Sequence, residues 1–417
     1  MLQAFRLKKG DPSLTYADLE KWLPEPASAV PPTPAEALTD AGWWVAGSKS
    51  NDAARPTILS AFPSLERGIH AEEQRTSVAF TEFDGYVAIA GPVLDPSRTG
   101  RAVSATTLEG AAKCPLRFFM QQGLGVKPIE EGQSDTDLWL GPATKGSELH
   151  DLYARLMCTI RAEKRKPVLE IDQPRLRAWG QERLDELRRE MPPPSDEVFA
   201  HESREFLDDL DAFVAAECEG RHGGDPLGFE VGFGFPLDEE EEEPLASPDP
   251  LVIDLGDKRR VVLHGWIDRI NRLGAGNYEV ADYKTGGYWA DDWQGEFDGG
   301  RRLQHALYGL AAASLLERRD AKARVVRGVY LFTAVKGHRR RKVIEAPTKA
   351  KIVQVLRDLT DVIGNGAFAP ADGELGCKWC EFKAACHAED VTLAAGKVAN
   401  LANKVLQPYR DLRGNHA

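Results

Sequence analysis

His264-Gly-Trp-Ile-Asp-Arg-Ile270 and Val280-Ala-Asp-Tyr-Lys284 are two apolar, β-prone runs, and Gly274 to Asn277 between them carries a hairpin signal. Read together they predict two neighbouring strands, with Asp268 on the first and Asp282 and Lys284 on the second. Side chains alternate along a strand, so Asp282 and Lys284 project from one face and can converge with Asp268. Two carboxylates side by side repel unless a cation sits between them. Their hard oxygens suit Mg2+ (with Mn2+ as the alternative), which one or two carboxylates hold together with waters and phosphate oxygens. An ammonium beside that ion has its pKa pushed down by like charge and can position or deprotonate an attacking water. The chemistry implied is metal-assisted phosphodiester hydrolysis.

Outward from the hairpin, helices alternate with strands. Before it, Ser104 to Glu109 opens a helix with small hydroxyl residues as candidate caps. A second helix holds Gly146 to Tyr153, and two more fill 175–190 and 199–218. Strands are predicted at Phe229 to Phe235, Arg260 to Ile270, Asn277 to Tyr283, 324–335 and, more weakly, 341–345. Helices at 301–317 and 348–363 and a cysteine-bearing tail complete the order. Helices alternating with strands around one sheet mean an α/β fold. The acidic run Asp238 to Glu243, followed closely by two prolines, reads as a solvated loop. Residues 1–100 carry proline clusters and nothing catalytic, and there is no internal repeat.

At 417 residues the chain is long enough for two to three domains and a real core. With 42% hydrophobic and 28% charged residues it falls in the soluble globular class. The net charge of −12 argues at first sight against a general nucleic-acid binder. No apolar run approaches the roughly 20 residues that span a bilayer, and the first residues lack a signal-peptide core, so no membrane role and a cytoplasmic location are expected. Six cysteines in a reducing compartment are thiols or metal ligands rather than disulfides.

The hairpin and its surroundings resemble the PD-(D/E)XK nuclease superfamily, and within it the RecB/AddB branch. A helix carrying G-x-x-x-H is matched by Gly146-Ser-Glu-Leu-His150. The hairpin's G-x-x-D and D-x-K are matched by Gly265-Trp-Ile-Asp268 and Asp282-Tyr-Lys284, and a following Q-x-x-x-Y by Gln304-His-Ala-Leu-Tyr308. The i, i+4 spacing puts Gln304 and Tyr308 on one helical face. Two departures stand out: Ile267 replaces the proline before Asp268, and the acid of the last motif is Asp rather than Glu. The resemblance implies a restriction-endonuclease-like core, a central mixed β-sheet flanked by helices. It also implies that His150, Asp268, Asp282 and the Tyr283 carbonyl bind the metal, while Lys284, Gln304 and Tyr308 serve the catalytic step.

Cys377-Lys-Trp-Cys380 and Cys386 supply three thiols, one short of a closed site. Cys114-Pro-Leu-Arg-Phe-Phe119 is similar to the AddB segment that gives the first ligand of a 4Fe-4S cluster, and Asn365-Gly-Ala-Phe-Ala-Pro370 to its lead-in. By this resemblance Cys114, Cys377, Cys380 and Cys386 would meet around an iron–sulfur cluster that staples the helical periphery. Four thiolates also suit zinc, which the spacing leaves open. Cys158 and Cys218 fall outside the pattern.

Basic residues gather at 301–342, including Arg301, Arg302, Arg339, Arg340 and Arg341, in a segment suited to the phosphate backbone of single-stranded DNA or duplex ends. No G-x-x-x-x-G-K-[ST] occurs, so a helicase motor would be a partner. Phe80 to Gly85 and Gly91 to Asp95 resemble the end of the helicase-like region that precedes such nuclease domains. The expected organisation is therefore residues 1–100 as that end, 101–390 as the nuclease domain, and 391–417 as a helical tail. The resemblance points to an exonuclease in double-strand-break repair and recombination. A non-catalytic DNA-binding or scaffold subunit with a degenerate nuclease fold is the alternative.

Overall fold

Side-chain hydroxyls start several of the long helices, as their sequence positions predict. Ser104 accepts the amide of Thr107, Ser195 that of Val198 and Thr348 that of Lys351. The computed structural model describes residues 2–15, 18–19, 31–50, 53, 55–127, 138–236, 243–293, 295–371, 377, 380–382, 386 and 388–416. The chain forms two compact units, Met1–Thr76 and Ser77–Ala417. The first holds helices at Leu2–Lys9, Asp40–Ser50, Arg55–Ala61 and Pro63–Thr76, with Trp43 edge-on to Trp44 at 4.9 Å.

The second unit is the α/β fold expected. Its longer helices are α1 (Ala105–Lys113), α2 (Pro142–Ala162), α3 (Leu169–Glu190), α4 (Asp196–Cys218), α5 (Gln304–Glu317), α6 (Lys349–Gly364), α7 (Ala388–Ala399) and α8 (Gln407–Asn415). Its strands are β1 (Ala102–Val103), β2 (Asp225–Phe233), β3 (Leu251–Gly256), β4 (Arg259–Leu263), β5 (Gly265–Gly274), β6 (Asn277–Lys284), β7 (Arg324–Phe332) and β8 (Arg341–Glu345). The order β2-β5-β6-β7-β8 gives a five-stranded mixed sheet in which only β6 and β7 run parallel. A parallel pair needs a crossover, and the segment carrying α5 provides it. The β5–β6 hairpin turns through Gly274, Ala275 and Gly276, all at positive φ.

Two expectations are corrected. The run Arg260 to Ile270 is not one strand: it breaks at His264, whose amide donates to the Val103 carbonyl, and its halves enter different sheets. β4 joins a separate three-stranded sheet, β1-β4-β3, so among the described residues there are two sheets rather than one. Most of the acidic run, Asp238 to Glu242, lies outside the described residues. Glu243 is buried and pairs with Arg161 at 2.8 Å, so it is no solvated loop residue.

The large sheet is buried on both faces. Val231, Ile270 and Val280 pack with α1, α5, α6, α8 and the small sheet. Phe229, Ala281, Tyr283, Val329 and Leu331 pack with α2, α3 and α4. A buried polar chain lies within this assembly. Arg269 pairs with Glu217 and donates to Asn271 at 2.6 Å, Asn271 donates to Glu279 at 2.9 Å, and Arg327 and Arg341 close on Glu279 at 2.7 and 2.6 Å. Burial opposes ionisation of Glu217, but Arg269 and His222 outweigh it and hold its carboxyl down to about 2.

Segments far apart in sequence are tied together around this core. Tyr86 bridges to Ala367, the Leu116 amide donates to the Ala369 carbonyl, and Lys397 pairs with Asp84 at 2.6 Å. Among the described residues no helix is long and apolar enough to cross a membrane.

Candidate metal centre and active site

β5 and β6 separate where the motifs lie. Their ladder runs from Gly274↔Asn277 to Arg269↔Ala281 and goes no further, while β6 stays paired to β7 through Lys284↔Phe332. In the opening, Asp268 Oδ2 accepts the Tyr283 amide at 2.7 Å, so a side chain replaces the missing backbone acceptor. His150 on α2 brings Nδ1 to 3.5 Å from the same oxygen and 4.0 Å from Glu230 Oε1 on β2. Ligand atoms of His150, Glu230 and Asp268 all lie within 4.8 Å of one another.

Glu230 belongs to this group although the sequence reading passed over it. It sits at φ 45°, a backbone conformation uncommon for glutamate, and its Oε1 is buried without a hydrogen-bond partner. Its one sequence signal is a charge inside the apolar run Gly228-Phe-Glu-Val-Gly-Phe233. Burial first, then the charges of Asp268, Asp151 and Asp282, push its carboxyl up to about 9. Burial and Asp282 likewise raise Asp268 to about 6, against the pull of His150 and the Tyr283 amide. Acids held so close, with an imidazole and an orphaned carboxylate oxygen, form a donor set that fits a hard divalent cation.

Lys284 faces Asp282 Oδ2 at 2.5 Å and donates to Gln304 Oε1 at 2.9 Å, with its ammonium 5.4 Å from the Tyr330 ring centre. An ion beside it would push this lysine's pKa down, as expected from its place in the motif, whereas the protein's own groups do the opposite. Burial pulls it down, but Asp282, Glu109 and Asp268 outweigh burial and raise it, so the lysine is charged. Tyr308, one turn beyond Gln304, is buried, and burial raises the pKa of its hydroxyl. The motif glycines make room for these contacts. A Cβ on Gly265 would stand 3.3 Å from the Tyr308 ring, and one on Gly146 would stand 3.3 Å from the Thr285 hydroxyl.

Gln304 is held from a distance. α5 has no cap from its own N-cap residue Leu303; instead the buried Glu109 of α1 accepts the amides of Leu303 at 2.6 Å and Gln304 at 3.0 Å. Burial raises the Glu109 pKa, with Lys113 and the two amides opposing. No local spacing could reveal a contact between residues 194 positions apart.

α1 ends at Cys114, whose sulfur accepts the Arg117 amide at 3.4 Å. Burial raises this thiol's pKa, opposed by the amides of Arg117 and Ala371, and the thiols of Cys380 and Cys377 are close enough to add to the rise. Cys380 donates its amide to the Cys377 carbonyl at 3.1 Å, and Arg117 pairs with Glu381 at 2.6 Å. Cys386 is half-buried, and none of the six cysteines is in a disulfide. A half-buried sulfur receiving the Arg117 amide beside two more thiols fits a thiolate-bound metal or cluster.

The basic residues divide. Arg302 is buried over the Trp293 ring at 4.8 Å, and Arg341 closes on Glu279. Arg301 is half-exposed and pairs with Asp298 at 2.9 Å, while Arg339 and Arg340 are exposed.

A family model of the PD-(D/E)XK nuclease superfamily matches residues 102–387. One of the subunits of the ATP-dependent helicase/deoxyribonuclease of Acetivibrio thermocellus is 30% identical over 196 residues, covering 44% of this chain. The matched stretch makes up 15% of that relative's length.

Raised acid pKa values mean that the folded chain binds more protons than the unfolded one, so metal-free stability falls as pH rises from the ordinary carboxylate range toward about 9. Mg2+ needs the ionised forms, so it should bind more tightly as pH rises, release protons and restore the lost stability. Thermal melts from about pH 5 to 9, in EDTA and in Mg2+, test this; a metal-free melting temperature that climbs across the window contradicts it. Glu109→Ala should cost about 1–2 kcal/mol in urea denaturation and speed hydrogen exchange at the Leu303 and Gln304 amides. Unchanged exchange there would mean that Glu109 does not hold α5.

Proposed function

The chain belongs to the PD-(D/E)XK nuclease superfamily, and we propose that it is a Mg2+-dependent deoxyribonuclease, an exonuclease on single strands, in cytoplasmic double-strand-break repair and recombination. The observation that carries this reading is the convergence of His150, Glu230 and Asp268 at the mouth of the strand pair that carries Asp282 and Lys284. A chain that had given up chemistry would have no physical reason to keep these buried acids together at the cost of their repulsion. The similarity to a component of a helicase/deoxyribonuclease supports a helicase partner that supplies the strand.

His150, Glu230, Asp268, Asp282 and the Tyr283 carbonyl would hold the ion. When bound, it supplies Lewis-acid activation of the phosphate and acidification of a water. The protein's own groups set the rest. Gln304 and Asp282 occupy two sides of the Lys284 ammonium, which has three N–H donors, and one is left for a phosphate oxygen or the attacking water. Gln304 holds Lys284, and Tyr308 is buried one turn beyond Gln304. Arg301, Arg339 and Arg340 would contact the DNA backbone from the surface, while Arg302 and Arg341 would act by buttressing that surface.

We assign Cys114, Cys377, Cys380 and Cys386 to a 4Fe-4S cluster of structural role. Supporting this are the shared environment of the first three sulfurs and the Arg117–Glu381 pair beside them. Such a centre ties the segment after α1 to residues more than 260 positions later and so restricts the unfolded chain.

Asp282→Ala and Lys284→Ala should abolish Mg2+-dependent digestion of end-labelled single-stranded DNA while leaving the melting profile of a folded protein; activity retained by either variant overturns the assignment. Anaerobically purified protein should contain about four irons per chain and a brown chromophore, both lost in Cys380→Ser together with much of the stability. Zinc in place of iron, or an unchanged spectrum in the variant, would refute the cluster.

A further inference from the structure

From Gly265 to Asn271, the stretch of β5 that carries Asp268, every residue is buried except Trp266, which is 45% exposed. Beside buried neighbours it offers water a large flat apolar ring, the kind of surface that can take up a stacking partner. The ring is also held. Gly232, its register partner on β2, leaves the room it lies in, since a Cβ there would stand 2.8 Å from the indole. Phe235 stacks against it at 5.6 Å and 20°, and His264 abuts Phe235 edge-on at 4.6 Å. The Gly232–Trp266 pair lies two residues along the β2–β5 ribbon, roughly 7 Å of backbone, from Glu230 and Asp268.

We propose that Trp266 is a stacking platform for an unpaired base of the DNA strand next to the scissile phosphate, and that it favours single-stranded over duplex substrate. This deepens the proposed nuclease function and rests on it. Bases in a duplex already stack on each other and hide their faces, so only an unpaired base can lie on the exposed indole. Stacking is indifferent to base identity because every base has a π-face, so the platform would favour single strands without imposing a sequence. The position suits this role: a ring fixed by Phe235 loses little freedom on binding, and its neighbours on the ribbon hold the proposed metal site.

The test is binding without turnover. Affinities of the full chain for fluorescein-labelled (dT)20 and for a blunt 20-base-pair duplex are measured by anisotropy in EDTA for wild type, Trp266→Ala and Trp266→Phe. Folding is checked by circular dichroism, self-association by sedimentation, and cleavage of both substrates is followed in Mg2+. Trp266→Ala should bind (dT)20 about ten-fold more weakly, about 1.4 kcal/mol, and the duplex within about two-fold of wild type. Trp266→Phe, which keeps a flat ring on the Gly232 shelf, should recover most of the loss and guards against misfolding of the alanine variant. An unchanged ratio of single-strand to duplex affinity in a folded Trp266→Ala protein that still cleaves DNA overturns the platform and leaves the nuclease assignment standing. Wild type that neither cleaves nor binds either DNA overturns both. A change in self-association with no change in (dT)20 affinity would mean that the indole is covered by another copy of the chain, which also overturns it.

Discussion

The hydrogen bond from the Tyr283 amide to the Asp268 carboxylate is the constraint on which the rest of the site depends. At this point the backbone ladder between β5 and β6 has ended, and an unpaired amide would otherwise be left in the core. By capping it, Asp268 lets the two strands diverge without losing the β6–β7 pairing. The divergence is what gives His150 and Glu230 access to the same oxygen. A continuous ladder would be more regular, but it would leave no mouth in which acids from three strands and an imidazole from a helix could meet.

Keeping those acids together has an electrostatic cost that the surrounding architecture offsets in two ways. On the active-site side, Lys284 lies among Asp282, Asp268 and Glu109 as the local counter-charge. Beyond it, Arg269, the residue after Asp268, is drawn to Glu217 and anchors β5 to α4 through a buried pair. Removing either partner of such a pair leaves an uncompensated charge in the core, which is far more destabilising than the pair itself is stabilising. Rigid strands on a doubly covered sheet thus hold the ligands, and the proposed chemistry needs little movement from them.

Much of this was legible in the sequence because the chemistry imposes residue types at fixed local spacings. Gly265 to Asp268, Asp282 to Lys284, Gln304 to Tyr308 and Gly146 to His150 are each short patterns on one element, and their glycines have steric reasons that the packing makes plain. What escaped was whatever depends on long-range contact. Glu230 has no spacing partner within its strand, although a lone acid in an apolar run was a signal that could have been read. Glu109 reaches α5 across most of the domain. The break at His264 was hidden because both halves of Arg260 to Ile270 are equally β-prone, and only pairing with β1 separates them. The strand Leu251–Gly256, with its alternating burial, was likewise missed beside the acidic run.

The contacts between α1 and α8 set an order on the assembly of the fold. Glu109 takes the amides that begin α5, Arg413 of α8 donates to the Ala112 carbonyl at 2.7 Å, and Tyr409 and Leu412 pack into the same core as Ala111 and Ala112. One element is therefore finished by another made about 300 residues later. At the 5–20 residues per second of ribosomal elongation, α1 waits on the order of tens of seconds for that partner. Contacts of such separation also slow folding itself. The nascent chain thus carries α1 through about 300 further residues of synthesis before the helix that completes its packing has been made.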